Sequence, residues 1–478
     1  MYRRNISPLL YKTAIVVALI ILYGAWIRPT FIKSPIPVQP DLPAVESQER
    51  TDPSAPPPDE VVEPAIKQTR LIDPSVVPDS KYQEMLSEIR DELEKGNLQL
   101  VESKLGNLPN ALANDPTVGP YIAILWNNLG IEQEKVGGTQ VSVRTFKKAA
   151  SIDRKNPVIQ LNLAHAYWEL RDPAMTMEFV ERLIAMAPNE PFPHLAMAEM
   201  LQEQDRLKEA ARHLDQATQR ASSDPAVQTY LRTVAAKIRK TDQAEAHLTS
   251  RESAHFTVKF DGESDSTTWT AVQDILEEAY REIGQKFGHF PSKPIVVVLH
   301  AKSAFQSETG SPAWADGLFD PVLGRIQVPT QGALTDVNWL KRVLRHEFAH
   351  AVLHDLQGAG STAVPTWLNE GLAMQLSGDH WAEIHAATVR DTTVIPLTAL
   401  EGAWGGLSHD AAAVAYLEAN SAVHYLINRY GLHGVNQLLA HLKSRQTLAV
   451  AMQSQFSLSY EQFQSRWVDQ FKEESKKG

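Results

Sequence analysis

Apolar and polar positions divide the chain into four stretches of different texture. Residues 14–27 (AIVVALIILYGAWI) carry no charge, and Lys12 is the only charge between Leu9 and Ile27. As a helix this run is about 28 Å long, close to the ~30 Å hydrocarbon core of a bilayer. Arg3, Arg4 and Lys12 flank it on one side, while Tyr23 and Trp26 suit the opposite interface. The pattern predicts a transmembrane anchor over residues 1–28. Its N-terminus stays in the cytoplasm and the bulk of the chain lies outside it, as in a bacterial periplasm. A cleaved signal peptide is the rival reading, but Trp26 spoils the small-x-small site that cleavage needs.

Residues 29–80 hold 12 of the 29 prolines, including Pro56-Pro57-Pro58, with many acids and few aromatics. Such a stretch buries too little apolar surface to fold, so it reads as a semi-rigid, disordered spacer. From Lys81 to about Leu248 the pattern is helical, and part of it repeats. Leu129-Gly130, Leu163-Ala164 and Met197-Ala198 stand at equal intervals, as do Phe146, Val180 and Leu214, and Ala149, Leu183 and Ala217. The interval is about 34 residues, the length of one helix–turn–helix unit. The small residues suit the points where two helices cross closely. The pattern over about 122–224 resembles the tetratricopeptide repeat. That resemblance implies an all-α solenoid over 81–250 offering a surface for a peptide or partner protein, the bland alternative being a mere spacer.

Beyond about Glu252 strands join the helices. His255–Phe260 alternates like a half-buried strand, Thr267–Phe287 is an amphipathic helix, and Pro294–His300 reads as a buried strand. Gly317–Phe319 and Arg325–Val328 flank a turn and predict a hairpin. A helix then runs from Thr335 or Asp336, either of which can cap it, to Gly358, and Pro365 opens another. Residues 251–478 are therefore expected to form an α+β domain.

Composition narrows the chemistry. There is no cysteine, which excludes disulfides, thiol nucleophiles, iron–sulfur clusters and cysteine zinc ligands. Any metal must be held by His, Asp and Glu. The net charge of −11 argues against nucleic acid as a partner.

The long helix carries His346-Glu347-Phe348-Ala349-His350. Two histidines at i and i+4 share one helical face, a spacing that lets both imidazoles hold one zinc. Glu347 follows the first ligand, so it sits beside the metal as a general base for the attacking water. Glu370 lies far enough beyond His350 for the chain to turn back and start the next helix. There it completes a His₂Glu set with an open position, the arrangement of a catalytic zinc. Two features resemble the gluzincin zinc metallopeptidases, especially the peptidase MA-like branch that also carries tetratricopeptide repeats. They are the His346–His350 motif and Trp367-Leu368-Asn369-Glu370-Gly371.

The resemblance implies a zincin-like fold that hydrolyses peptide bonds, and an edge strand, here Gly324–Val328, that pairs with the substrate backbone. It also implies a downstream Tyr or His that stabilises the oxyanion. Tyr416 matches best among Tyr416, His424, Tyr425 and Tyr430. Related enzymes place an Asp four residues after the glutamate ligand. Here Met374 stands there, so the partner of His346 must come from elsewhere.

Blander readings apply to several neighbours. His354 repeats the i+4 spacing, but three histidines in line on one helix cannot reach one tetrahedral metal, so it belongs to the helix surface. His380 reads as a loop residue and Gly371 as a packing glycine. The expected function is that of a membrane-anchored zinc peptidase, with Glu347 and Tyr416 catalytic and His346, His350 and Glu370 on the metal. With no acidic motif for a free amine evident, an endopeptidase is favoured. A catalytically silent envelope scaffold is the alternative, and a metal hydrolase acting on other bonds is a third reading.

Overall fold

A computed structural model describes residues 69–71 and 82–477, except 137, 171, 222–224, 262–265, 313–314, 331–335, 359–363, 379–393 and 445. The apolar N-terminal segment and His380 lie outside the described residues. Among the described residues, no helix is long and apolar enough to cross a membrane.

The described residues are mostly helical, with one small mixed sheet. Its first half is a series of helices: α1 (Gln83–Glu94), α2 (Leu98–Gly106), α3 (Asn110–Ala113), α4 (Gly119–Lys135), α5 (Thr139–Ile152), α6 (Pro157–Glu169), α7 (Met177–Met186), α8 (Phe192–Glu203), α9 (Leu207–Arg220) and α10 (Pro225–Glu245). Successive helices pack on one another; α5, α7 and α9 bury one apolar stripe, whereas α4, α6 and α8 are buried on most of their faces. The regularly recurring positions face the two helical cores: Leu129, Phe146, Ala149 and Leu163 in the first, Ala164, Val180, Ala198 and Leu214 in the second. Gly130 shows why one of them is small. A Cβ there would lie 2.7 Å from the Phe146 ring, inside van der Waals contact.

The second half opens with β1 (Thr249–Glu252), β2 (Phe256–Phe260), α11 (Ser266–Phe287), β3 (Ile295–Ala301), α12 (Lys302–Thr309), β4 (Leu318–Asp320) and β5 (Arg325–Thr330). The strands form one sheet in the order β1-β2-β3-β5-β4. The β2, β3 and β5 strands run parallel and the two outer strands antiparallel. Strand β3 (IVVVLHA) lies in the middle with both faces covered, which explains its unbroken apolar run.

The expected edge strand is corrected here. Strand β5 is interior, paired with β3 through Val297↔Ile326 and Leu299↔Val328, and β4 forms the edge. The buried Ile326 and Val328 draw β5 inward. The tight turn at Pro321–Gly324 then folds the short β4 outside it. Gly324 takes a positive φ of 62° there, and Asp320 accepts the Val322 and Leu323 amides.

The remaining elements are α13 (Val337–Gln357), α14 (Thr366–Ser377), a short 3₁₀ turn (Leu397–Leu400), α15 (His409–Lys443), α16 (Leu448–Phe456) and α17 (Tyr460–Lys477). Helix α15 is broken at Gly431 (φ 71°). One apolar core joins the sheet, α11, α13 and α14 to the C-terminal helices. Trp367 is fully buried in it, stacked on Tyr460 and Phe463.

The two halves meet through buried charge. Arg325, at the start of β5, is fully buried and pairs with Glu245 at the end of α10 (2.6 Å) and with Asp205 after α8 (3.1 Å). Lys259 of β2 bridges the same two carboxylates, and Lys237 of α10 pairs with the buried Asp320 (2.8 Å). Gln202 donates to the Val322 carbonyl, and Leu323 joins the second helical core. The β4–β5 hairpin is therefore held by both halves.

Candidate metal centre

Helix α13 is capped by Asp336, whose side chain accepts the Trp339 amide. Its buried stretch runs from Val343 to Leu353, so His346, Glu347 and His350 sit within the protein with less than a tenth of their surface exposed. Helix α14 crosses beside it. On its other side Gly371 lets α15 pack closely, since a Cβ there would collide with the Ala419 carbonyl oxygen of α15. Arg345 donates to the Ser377 carbonyl and pairs with Glu282 of α11, locking the far end of α14.

This packing brings the three expected ligands together. His346 Nε2 and His350 Nε2 are 3.1 Å apart, and each is 3.3 Å from Glu370 Oε2. The three atoms form a nearly equilateral triangle. Ligands at about 2.0–2.1 Å from a tetrahedral zinc are separated by about 3.3–3.4 Å, so the donor set fits one face of such a tetrahedron. The ring of His350 is oriented for it: Nδ1 lies 3.1 Å from Asn369 Oδ1, which can only accept, so Nδ1 carries the proton and Nε2 offers a lone pair.

The charges agree with this grouping. Burial alone raises a carboxyl, yet the imidazoles of His350 and His346 hold Glu370 well below the usual carboxylate range. Burial opposes a charged His350, but Glu370 outweighs it and raises the ring. At Glu347 burial dominates and pushes the carboxyl up, although both histidines oppose it.

Glu347 lies under the edge strand. The Phe319 amide of β4 donates to it. A Cβ on Gly317 would fall 2.9 Å from Glu347 Oε1 and 2.6 Å from Val343, so only glycine lets the chain pass this close. Residues 277–473 match the Peptidase MA superfamily. The match supports a peptidase MA-like fold for this half, with peptidase activity as the suggestion it carries. The matched stretch begins inside α11, whereas the sheet starts earlier, at β1. No curated protein matches the chain.

The other residues singled out in the sequence separate cleanly. Tyr416 comes next to the triad: its ring is 6.5 Å from that of His346 and is steadied by Trp404 at 5.1 Å. His424 is exposed and engaged with Asn428 and Gln375. Tyr425 packs on Phe463 and Tyr430 stacks on Phe456, so both are packing residues. His354 is half-buried against Phe319 and is not one of the metal-competent group.

Sequence reasoning missed Gly317 and Asn369 as parts of the site. A glycine at the start of a predicted strand was the only signal for Gly317. For Asn369 it was the position next to the glutamate ligand.

Proposed function

We propose that the chain is a zinc-dependent peptidase, with His346, His350 and Glu370 holding the metal. The observation that carries this is the 3.1–3.3 Å triangle of two imidazole nitrogens and one carboxylate oxygen beside a buried glutamate. A zinc ion held by these three residues would supply Lewis-acid polarisation. Glu347 takes a proton from the attacking water and passes it to the leaving amine. Its buried carboxyl, raised above the usual range, is the better base for that transfer. The phenol of Tyr416 donates to the oxygen that gains negative charge as water adds. Strand β4, the edge of the sheet lying over Glu347, offers main-chain pairing to an extended substrate.

The basic-flanked apolar run at the N-terminus supports a membrane-anchored protein with its bulk outside the cytoplasm. The regular recurrence in the helical half supports a tetratricopeptide array that binds a protein partner or the substrate. The test combines zinc content with mass-spectrometric profiling of cleaved peptides. Glu347→Gln keeps zinc and loses about 10²–10⁴-fold in cleavage rate. Tyr416→Phe lowers kcat by about 10²-fold with KM little changed. Full cleavage by Glu347→Gln overturns the reading.

A further inference from the structure

Contrary to the disordered spacer expected over residues 29–80, Thr69, Arg70 and Leu71 lie against the helical array, because buried side-chain amides pair with their main chain. The Asn162 side chain accepts from the Thr69 amide (3.1 Å) and donates to the Thr69 carbonyl (2.9 Å). Asn128 does the same at Leu71, accepting at 3.2 Å and donating at 3.0 Å. In an extended chain the N–H and C=O of one residue point to the same side and recur at i+2, so one planar amide satisfies both.

Asn128 and Asn162 are separated by one repeat interval, so they occupy the same position of successive units, on α4 and α6. Asn127 orients both. It donates to Asn128 Oδ1 (3.2 Å) and accepts from Asn162 Nδ2 (2.9 Å). The three asparagines are at most 2% exposed. Buried amides are costly without hydrogen-bond partners, and here the partners are a peptide's main chain. The side chain between the clamps, Arg70, pairs with Glu94 and Glu132. Leu71 packs on the first helical core.

We infer that Asn128 and Asn162 form a main-chain clamp for an extended peptide with a basic residue between the clamped positions, and that Thr69–Leu71 is its built-in ligand. Side-chain identity matters little at the clamped residues, except that proline is excluded because both amides donate. The acidic pair Glu94 and Glu132 selects the residue between them. This deepens the reading of the array as a binding surface and is independent of the zinc chemistry.

Hydrogen exchange on the full chain tests it directly. The Thr69 and Leu71 amides exchange at least tenfold more slowly than in an unstructured peptide of the same sequence, and Asn128→Ala/Asn162→Ala removes that protection. Exchange at the free-peptide rate in the unaltered chain overturns the inference. A second arm uses a fluorescent peptide PAIKQTRLIDPS, the sequence of residues 64–75. It binds the Thr69→Pro/Leu71→Pro variant at least tenfold more tightly than the unaltered chain, and Asn128→Ala/Asn162→Ala in that background abolishes the gain. Equal binding with and without the asparagines overturns it. Neither readout depends on cleavage, so a failed peptidase assay leaves both decisive.

Discussion

At His350 two contacts act on one ring, and their division of labour is the clearest residue-scale feature of the site. Asn369 takes the Nδ1 proton while Nε2 faces His346 and Glu370. Asn369→Ala frees the ring to rotate and change tautomer. Zinc affinity should then fall by about 10–100-fold, measured by competition with a chromophoric chelator, with secondary structure unchanged. Unchanged affinity would show that packing alone orients the ring.

Glu418 makes a different residue-scale prediction. Burial pushes its carboxyl up to about 7, against the Ile395 amide that donates to it. The folded state then binds more protons than the unfolded chain between the ordinary 4.5 and about 7, so stability falls as pH rises through that window. Glu418→Gln should flatten this decline by about 3 kcal/mol in denaturant titrations run from pH 4.5 to 7.5. An unaltered slope refutes the assignment.

Elements act through their crossings. Helix α14 delivers Glu370 only because Gly371 lets α15 approach, with the Ala419 carbonyl where a Cβ would stand. Gly371→Ala should therefore cost about 1–3 kcal/mol, seen as a lower Tm. A variant as stable as the parent would mean that the helices separate freely. At this scale the sequence was legible where the period carried the information. The His346–His350 spacing and the strand at 295–301 follow from local pattern. The edge strand did not. Whether β4 or β5 faces outward depends on which one finds β3, a contact between distant residues that no local alternation encodes.

For the whole molecule, the junction between helical array and sheet matters most. Arg325, Lys259, Glu245 and Asp205 form a buried group of alternating charge, drawn from β5, β2, α10 and the turn after α8. Removing one member leaves the others desolvated and unbalanced. Arg325→Ala should destabilise the fold by about 3–5 kcal/mol in urea unfolding, whereas a loss below about 1 kcal/mol would show that water relieves the network. The same junction holds the hairpin whose edge passes over Glu347, so the array and the candidate centre share a structural support.

What the sequence determined by itself was whatever a helix or strand period can encode in a few residues. It carried the recurrence of the array, the absence of thiol ligands, and two histidines one turn apart with a glutamate between them. It could also nominate Glu370, from its spacing and motif, and Tyr416, through the family resemblance alone. The tertiary structure decided the rest. It brought Glu370 within 3.3 Å of both imidazoles, set Tyr416 beside His346 while sending His424 and Tyr430 elsewhere, and ran Gly317 across Glu347. It also laid Thr69–Leu71 on asparagines 57 and 93 residues away. These are contacts between segments far apart in the chain. They are fixed by how buried faces fit together, and a one-dimensional pattern holds no record of that fit.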